Sequence, residues 1–521
     1  MKKRIEAILC DLDGVLTQTA KLHARAWKLL FDELFAQDAR KTGSTYHEFV
    51  IATDYPKYID GKPRLEGITS YLEARGIQLP EGSSTETPDT ITVHSLGKKK
   101  NALFHELLAK EGVEVYLPSI EAVKVWKEKG LKTAVVSSSK NCRTVLEAAG
   151  ITHLFDVVVD GIVAEEKKIP GKPQPDTFLY AARLLRVEPS VAAVTEDAAA
   201  GIEAAVKGGF GLAIGILKEN NSELLKQSKT DIIINNLGEL AYTGSSLRYP
   251  QDFEALSHAC LCEHHIGGEL KSKKPVFFFD YDGTLTPIIA HPEDALLSPD
   301  TRKKLSQLAT LAPVTIISGR DKADVKKLVG LENLFYAGSH GFDIEGPQQE
   351  TFGLPEGNSI IEVIKEVTRA LQRKLSSLEG IQIEPKKYAV AVHYRNARKN
   401  AWPKVTALTQ ELVDQYSGLR TGLGKMVIEV RPDLDWNKGK AMQWIAAKLQ
   451  LPASNLHYFY IGDDITDEDA FKLLPENGTG IVVDNHQSPT YADYRIDSTA
   501  EIDTLLDGFI RIIEKQHNKD E

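Results

Sequence analysis

Cysteine is scarce in this 521-residue chain, with only four, at positions 10, 142, 260 and 262. None falls into the spaced pairs of a disulfide framework, so a reducing, cytoplasmic setting is expected. Long apolar runs are missing too, which excludes a membrane-spanning helix on sequence grounds. The opening Met1-Lys2-Lys3-Arg4 has the charge of a leader, but Glu6 and Asp11 break any apolar stretch behind it. There is no excess of basic charge: 63 Lys and Arg face 73 Asp and Glu, for a net charge near −10. With no basic stripe, neither a nucleic-acid surface nor an anionic membrane is an expected partner. Cys260-Leu261-Cys262-Glu263-His264-His265 holds zinc-type residues, yet no second ligand pair follows at a suitable spacing. It reads as a helix with incidental Cys and His.

What the chain does have is 42% apolar and 26% charged residues, the balance of a globular protein too long for one core. Its most informative stretch is Phe277-Phe278-Phe279-Asp280-Tyr281-Asp282-Gly283-Thr284. The apolar run predicts a buried parallel strand. Two carboxylates at i and i+2 follow at its carboxyl end, where open α/β sheets place ligands. Two acids so crowded repel unless a cation or proton sits between them. The same device occurs at Ile8-Leu9-Cys10-Asp11-Leu12-Asp13-Gly14.

In the first half, strands and helices alternate after a mostly helical interruption at about 18–110. This pattern predicts a doubly wound parallel sheet carrying an inserted cap. Later strand ends supply Ser137, Lys172, Glu196 and Asp197. Together they suit phosphoryl transfer. Asp11 is the nucleophile, and Asp13 protonates the leaving oxygen and then activates the next nucleophile. Ser137 bonds a phosphoryl oxygen, and Lys172 offsets charge. Asp11, the Asp13 carbonyl and Asp197, with Glu196, give hard oxygen ligands for Mg²⁺.

Asp-x-Asp-Gly-Val, the strand-end Ser, Gly-Lys-Pro-x-Pro-Asp and Glu-Asp resemble the haloacid dehalogenase superfamily. More narrowly, Asp11 through Trp27, with Thr19 and His23 in place, and Ser137-x-Ser139-Lys140-Asn141 resemble β-phosphoglucomutase over about residues 5–220. That resemblance implies a sugar-phosphate substrate contacted by Thr19, His23, Ser139, Lys140 and Asn141. It also implies that Arg64 and Lys100 hold the distal phosphate. Phosphatase activity, or a non-catalytic regulatory or assembly module, stays open for this half.

The same roles recur in the second half: Asp280 as nucleophile, Asp282 as acid/base, Ser318 as phosphoryl donor and Lys438 as charge partner. Asp280, the Asp282 carbonyl and Asp463 would hold a second Mg²⁺, with Asp464 and Asp467 nearby. A cap of about 345–427 now sits between the second and third core motifs, and Met426–Pro432 reads as a return to the core. Ser318-Gly319-Arg320, Gly338-Ser339-His340-Gly341, Glu384-x-Lys386, His393-Tyr394-Arg395, Glu429-Val430-Arg431-Pro432, Asn437-Lys438-Gly439 and Gly462-Asp463-Asp464-x-Thr466-Asp467-Glu468-Asp469 resemble trehalose-6-phosphate phosphatase over about 273–515. The resemblance implies that Arg320 and His340, cap residues Glu384, Lys386 and His393, and core Glu429 contact sugar or phosphate. The expected organisation is a first domain at 1–235, a linker at 236–272 and a second domain at 273–521, each an α/β core using one Mg²⁺ on small sugar phosphates.

Overall fold

The computed structural model describes residues 2–42, 48–59, 64–83, 91–218, 221–270, 273–289, 291–347, 351–353, 357–424, 426–449, 452 and 455–520. The chain forms two compact units, Lys3–Leu247 and one built on Arg248–Glu521.

In the first unit, six parallel strands lie in the order Val157–Val159, Lys132–Val136, Ala7–Cys10, Ala192–Glu196, Leu212–Ile216, Ile232–Ile234. Ala7–Cys10 is fully buried between two neighbours, as a continuous apolar run demands of a central parallel strand. The chain builds outward on one side of it, then returns to build on the other. Asp11 therefore emerges at the point where the winding reverses, and a crevice opens there. The cap is helical, with Thr19–Thr42, Arg64–Ala74 and Val93–Glu111 as its longer helices. Trp27, Phe31, Phe49 and Tyr71 form its own small core, with Phe31 and Tyr71 rings 4.5 Å apart.

The second unit has nine strands in the order Ser257–His258, Tyr494–Ile496, Gly478–Val483, Leu456–Gly462, Lys274–Phe279, Val314–Ile317, Phe335–Gly338, Asp343–Glu345, Thr351–Gly353. All neighbours pair in parallel except that Asp343–Glu345 pairs antiparallel with the strand on each side of it. Along the central strand, Phe277 and Phe279 join the cluster containing Leu305 and Phe509. Phe278 joins the opposite cluster, with Met442 and Phe471. This alternation buries both faces, roughly 1.5–3 kcal/mol for each ring removed from water. The strand end that carries Asp280 is thus held from two sides.

Two boundaries differ from the sequence reading. The stretch expected as a linker, 236–272, is built into the fold over its described residues 236–270: they include the strands Ala241–Tyr242 and Ser246–Arg248 and the helix Glu263–Leu270, and Ser257–His258 extends the second sheet. Strands of two or three residues leave no periodicity to detect. The second cap also reaches further. Its antiparallel sheet, in the order Gln382–Pro385, Val390–His393, Val427–Pro432, Leu419–Gly424, packs with helices Gly357–Leu375 and Trp402–Val413. Val427–Pro432 is therefore cap, not core, and Glu429 is a cap residue. The alternation Val-Ile-Glu-Val-Arg-Pro buries one face only, a one-sided antiparallel signature that the buried core strands lack.

The boundary region also supplies a fully buried arginine. Arg248 donates to Asp493 at 3.0 Å and to the Gly478 carbonyl at 2.7 Å. Removing one partner of a buried pair strands the other. Arg248→Ala is expected to destabilise the second unit by about 3–5 kcal/mol, read as a shift in its urea unfolding midpoint; an unshifted midpoint would show the pair to be dispensable.

Candidate active sites

At the second unit's strand end, the Asp280 backbone N–H donates to the Ile461 carbonyl at 2.8 Å, tying the acid to the neighbouring strand. Gly283, at φ +88°, then turns the chain so that its N–H reaches the Thr286 carbonyl at 2.7 Å. A Cβ at this glycine would collide with the Asp463 carboxylate, so glycine is required both for its dihedral angle and for its space. Thr284 donates its hydroxyl to Asp463 at 2.8 Å. Lys438 begins the helix Lys438–Lys448, which Asn437 caps by accepting the Lys440 N–H. Its buried ammonium lies 2.7 Å from Asp280 and 2.8 Å from Asp467. Ser318 ends the next strand, buried, its N–H bonded to the Ala337 carbonyl at 2.9 Å.

Arg320 forks onto both oxygens of Asp282 at 2.6 and 2.5 Å, a bidentate charge-assisted contact. Ser339, His340 and Gly341 all have left-handed backbone, at φ 49°, 57° and 93°. Strain of this kind concentrates at functional sites. Here it turns His340 to within 3.7 Å of Glu429. Glu429 also takes Lys386 at 3.1 Å. Burial would raise the Glu429 carboxyl, but the neighbouring His340 imidazole and the Lys386 ammonium outweigh it and hold it at about 2. A cleft of about 930 Å³ takes in Asp280, Asp282, Ser318 and Lys438 from the core and Glu384 and Lys386 from the cap.

The first unit repeats the core arrangement. Lys172 lies 2.5 Å from Asp11 and 2.5 Å from Glu196, and also donates to the Val136 carbonyl at 3.1 Å. Gly14, at φ +83°, clears space for Asp197 as Gly283 does for Asp463. Thr19 donates its hydroxyl to Asp13. Under the cap, the buried Lys100 ammonium donates to His23 Nδ1 at 2.6 Å, and His23 stacks on Phe104 with ring centroids 4.1 Å apart. Burial, with Arg64 nearby, pushes Lys100 down to about 7, while Asp13 pulls the other way. Burial and the same two cations push His23 well below its usual value, leaving it a neutral acceptor.

The two cores fill one position from opposite directions. In the first unit the lysine's second carboxylate is Glu196, just before Asp197, and a Cβ on Gly201 would collide with it. In the second unit it is Asp467, four residues after Asp463, and a Cβ on Gly462 would collide with that. Acid and glycine have changed places around the same space. Both clusters suit a hard cation: ligand oxygens of Asp11, Glu196 and Asp197, and of Asp280, Asp463 and Asp467, lie within 4.8 Å of one another. Burial and neighbouring acids push Asp197 up to about 8 and Asp13 up to about 7, and raise Glu196, Asp280 and Asp463 as well. Carboxyls displaced upward together are short of positive charge.

The structure therefore brings together Asp11, Asp13, Lys172, Glu196 and Asp197, and separately Asp280, Asp282, Ser318, Lys438 and Asp463. Ser137 is buried and accepts the Ser139 N–H at 3.1 Å. Ser139 accepts the Asn141 N–H at 3.1 Å, and Asn141 donates to Asn101 of the cap helix at 2.9 Å. Asn101 drew no attention in sequence because nothing there pairs it with a residue forty positions on. Arg64 donates to the Gly97 carbonyl at 3.4 Å. Lys140 does not join the site: it pairs with Glu165 at 2.7 Å on the surface, since its position follows the strand end and points outward. Asp464 lines the cleft but is not in the acidic cluster. It is exposed and caps the helix Ile465–Leu473, and Asp467, completing that capping box, takes the buried place. His393 pairs with Glu384 at 2.7 Å and reaches the cleft only through it. Among the described residues no metal-holding group includes Cys260, Cys262 or His265; the His264 side chain lies outside them.

Comparison with known proteins agrees with this division. Residues 278–500 match the trehalose-phosphatase family and residues 5–209 match haloacid dehalogenase-like hydrolases. A trehalose-phosphate phosphatase of Mycobacterium leprae is 34% identical over 397 residues, 73% of this chain and 89% of its own length. A Mycobacterium tuberculosis protein described as an uncharacterized glycosyl hydrolase is 32% identical over 491 residues, 92% of this chain but 36% of its own length. The chain thus spans about a third of that relative. A solved β-phosphoglucomutase from Clostridium difficile aligns with 46% of this chain and 94% of its own at 27% identity, with a TM-score of 0.35.

The raised carboxyls set a sign for cation binding. With Asp197 at about 8, this acid is largely protonated at neutral pH when no cation is present. A divalent cation must displace that proton, so binding to the first unit releases protons and tightens as pH rises from about 6 to about 8. Calorimetric titration with Mg²⁺ in buffers of differing ionisation enthalpy measures this; proton uptake, or affinity flat across that window, would contradict it.

Proposed function

The chain belongs to the trehalose-phosphate phosphatase family, and from that premise we propose that its second unit hydrolyses trehalose 6-phosphate to trehalose and phosphate. The observation that carries this reading is the buried Lys438 bridging Asp280 and Asp467 beneath a cleft roofed by Glu384 and Lys386. An Asp280 oxygen attacks phosphorus, and the sugar oxygen leaves with a proton from Asp282. Asp282 then takes a proton from water, which attacks the aspartyl-phosphate and releases phosphate. Arg320 must yield Asp282 for the first proton transfer, and an incoming phosphate gives the guanidinium an alternative bidentate partner. Lys438 offsets the charge that gathers as carboxylate and phosphoryl approach. Asp280, Asp463 and the Asp282 carbonyl would hold Mg²⁺, which supplies further neutralisation of the phosphoryl oxygens when bound. The cap's Glu429, Lys386 and Glu384 offer acceptors and donors suited to sugar hydroxyls, and closure over them excludes water.

The first unit acts as a β-phosphoglucomutase-like phosphotransferase through Asp11, with Asp13 as acid and base and with Asp11, Asp197 and the Asp13 carbonyl as the Mg²⁺ set. Support comes from the cap. Among the described residues no carboxylate pairs with the buried Lys100, whose direct partner is neutral His23. A buried ammonium in that state favours an anion, and the nearby Arg64 adds to the attraction. A second phosphate on the sugar satisfies both.

Paired variants of the full chain separate the two chemistries. Asp280→Asn is expected to cut phosphate release from trehalose 6-phosphate by about a thousandfold or more, and Asp11→Asn to cut turnover of β-glucose 1-phosphate similarly. Retained trehalose 6-phosphate hydrolysis in Asp280→Asn would refute the first assignment, and retained β-glucose 1-phosphate turnover in Asp11→Asn the second.

A further inference from the structure

Asp467 is bonded on every side. Its Oδ1 accepts from the Lys438 ammonium at 2.8 Å and from the Tyr460 hydroxyl at 2.7 Å. Its Oδ2 accepts from the N–H groups of Asp463 and Asp464 at 3.2 and 3.1 Å. An ionised carboxyl offers about four acceptor directions, and all are taken. Asp467 therefore has none free for a cation, although its oxygens lie within 4.8 Å of those of Asp280 and Asp463. Of its four donors, the lysine is the charged one.

Three of those four donors have counterparts in the first unit. Glu196 takes Lys172 and the N–H groups of Asp197 and Ala198, at 2.5, 3.1 and 3.2 Å. Among the described residues it takes no hydroxyl. Tyr460 lies three residues before Asp463, and the residue three before Asp197 is Val194. The phenol is thus peculiar to the second unit. Its ring is fully buried, pairs in register with Phe278 and packs edge-on to Phe471 at 5.5 Å. A phenylalanine ring would fill that core equally well, so the hydroxyl is not there for packing. It is there for Asp467.

We infer that Tyr460 is a positioning residue for hydrolysis at Asp280. Its hydroxyl fixes the rotation of the Asp467 carboxylate, so that Oδ1 faces Lys438 and the ammonium stays 2.7 Å from Asp280. Asp467 approaches from the helix side instead of the strand, and its two backbone N–H donors hold only Oδ2. Among the described residues the phenol is the neutral donor that fixes Oδ1. Without it, Oδ1 is held by the Lys438 ammonium alone and can turn toward the cation-binding oxygens, so the charge partner of the attacking carboxylate drifts. Nothing in the sugar-binding part of the cleft changes. The loss is therefore expected in kcat and not in KM.

This inference rests on the assignment of Asp280 as nucleophile, and the test keeps the two apart. Tyr460→Phe is made in the full chain and assayed on trehalose 6-phosphate, and on p-nitrophenyl phosphate with the Asp280→Asn chain as blank. The expected result is a fall in kcat of about tenfold or more with KM altered by less than about threefold. Because the hydroxyl acts through one carboxylate, adding Tyr460→Phe to Asp467→Asn should lower kcat by less than about a further twofold. An unchanged kcat in Tyr460→Phe, whatever its melting temperature, would overturn the inference, and so would losses that multiply in the double variant. A wild-type chain active on p-nitrophenyl phosphate but not on trehalose 6-phosphate would refute the substrate assignment alone; the Tyr460 comparison then stands or falls on p-nitrophenyl phosphate.

Discussion

Each unit depends on one constraint: a buried lysine must serve several buried carboxylates at once. Lys172 bridges Asp11 and Glu196, and Lys438 bridges Asp280 and Asp467. In each case a further aspartate, Asp197 or Asp463, sits over a glycine that the turn has opened for it. One ammonium cannot neutralise three acids, and burial raises the cost of leaving them charged. The acids respond by shifting upward, as Asp197 and Asp463 do. A divalent cation held by these acids would restore the balance. The central strands, fully buried on both faces, hold the acids in place until then.

That shared core leaves substrate choice to the caps, and the caps are chemically unlike. Under the helical cap, Lys100 and Arg64 gather positive charge around a neutral His23. Under the mixed cap, Glu429 is held ionised between His340 and Lys386, and Glu384 is paired with His393. The first arrangement favours a second anionic group on the substrate. The second offers alternating donors and acceptors, which suit a ring of hydroxyls. Asp13 and Asp282, the proposed acid/base residues, are likewise restrained by different means, a threonine hydroxyl in one unit and an arginine fork in the other.

Much of the placement of the candidate residues was legible in the sequence because most of the acids and both serines follow closely on a strand and Lys438 opens a helix, whereas Lys172 lies in a turn ahead of the helix Asp176–Leu185. Phe277–Phe279 before Asp280 is a local signal, and so is Asn437 capping the helix that begins with Lys438. What escaped was relational. Asp464 and Asp467 look equivalent as text, and only a capping box sends the first to the surface and the second inward. Lys140 has the charge of a ligand, but its backbone direction sends it to Glu165. Met426–Pro432 reads as a return to the core, whereas the one-sided alternation of Val427–Pro432 marks a cap strand and moves Glu429 with it. Residues 236–272 look like a linker because strands of two or three residues carry no period, so Arg248 was not seen as a buried anchor.

The central claim is that Asp280 carries the phosphoryl group. Borohydride reduces an aspartyl-phosphate to homoserine, which peptide mass mapping locates directly. After the chain is mixed with trehalose 6-phosphate and quenched into borohydride, homoserine should appear at position 280. Aspartate intact at 280 during turnover, or homoserine at 463 or 467 in its place, would contradict the account.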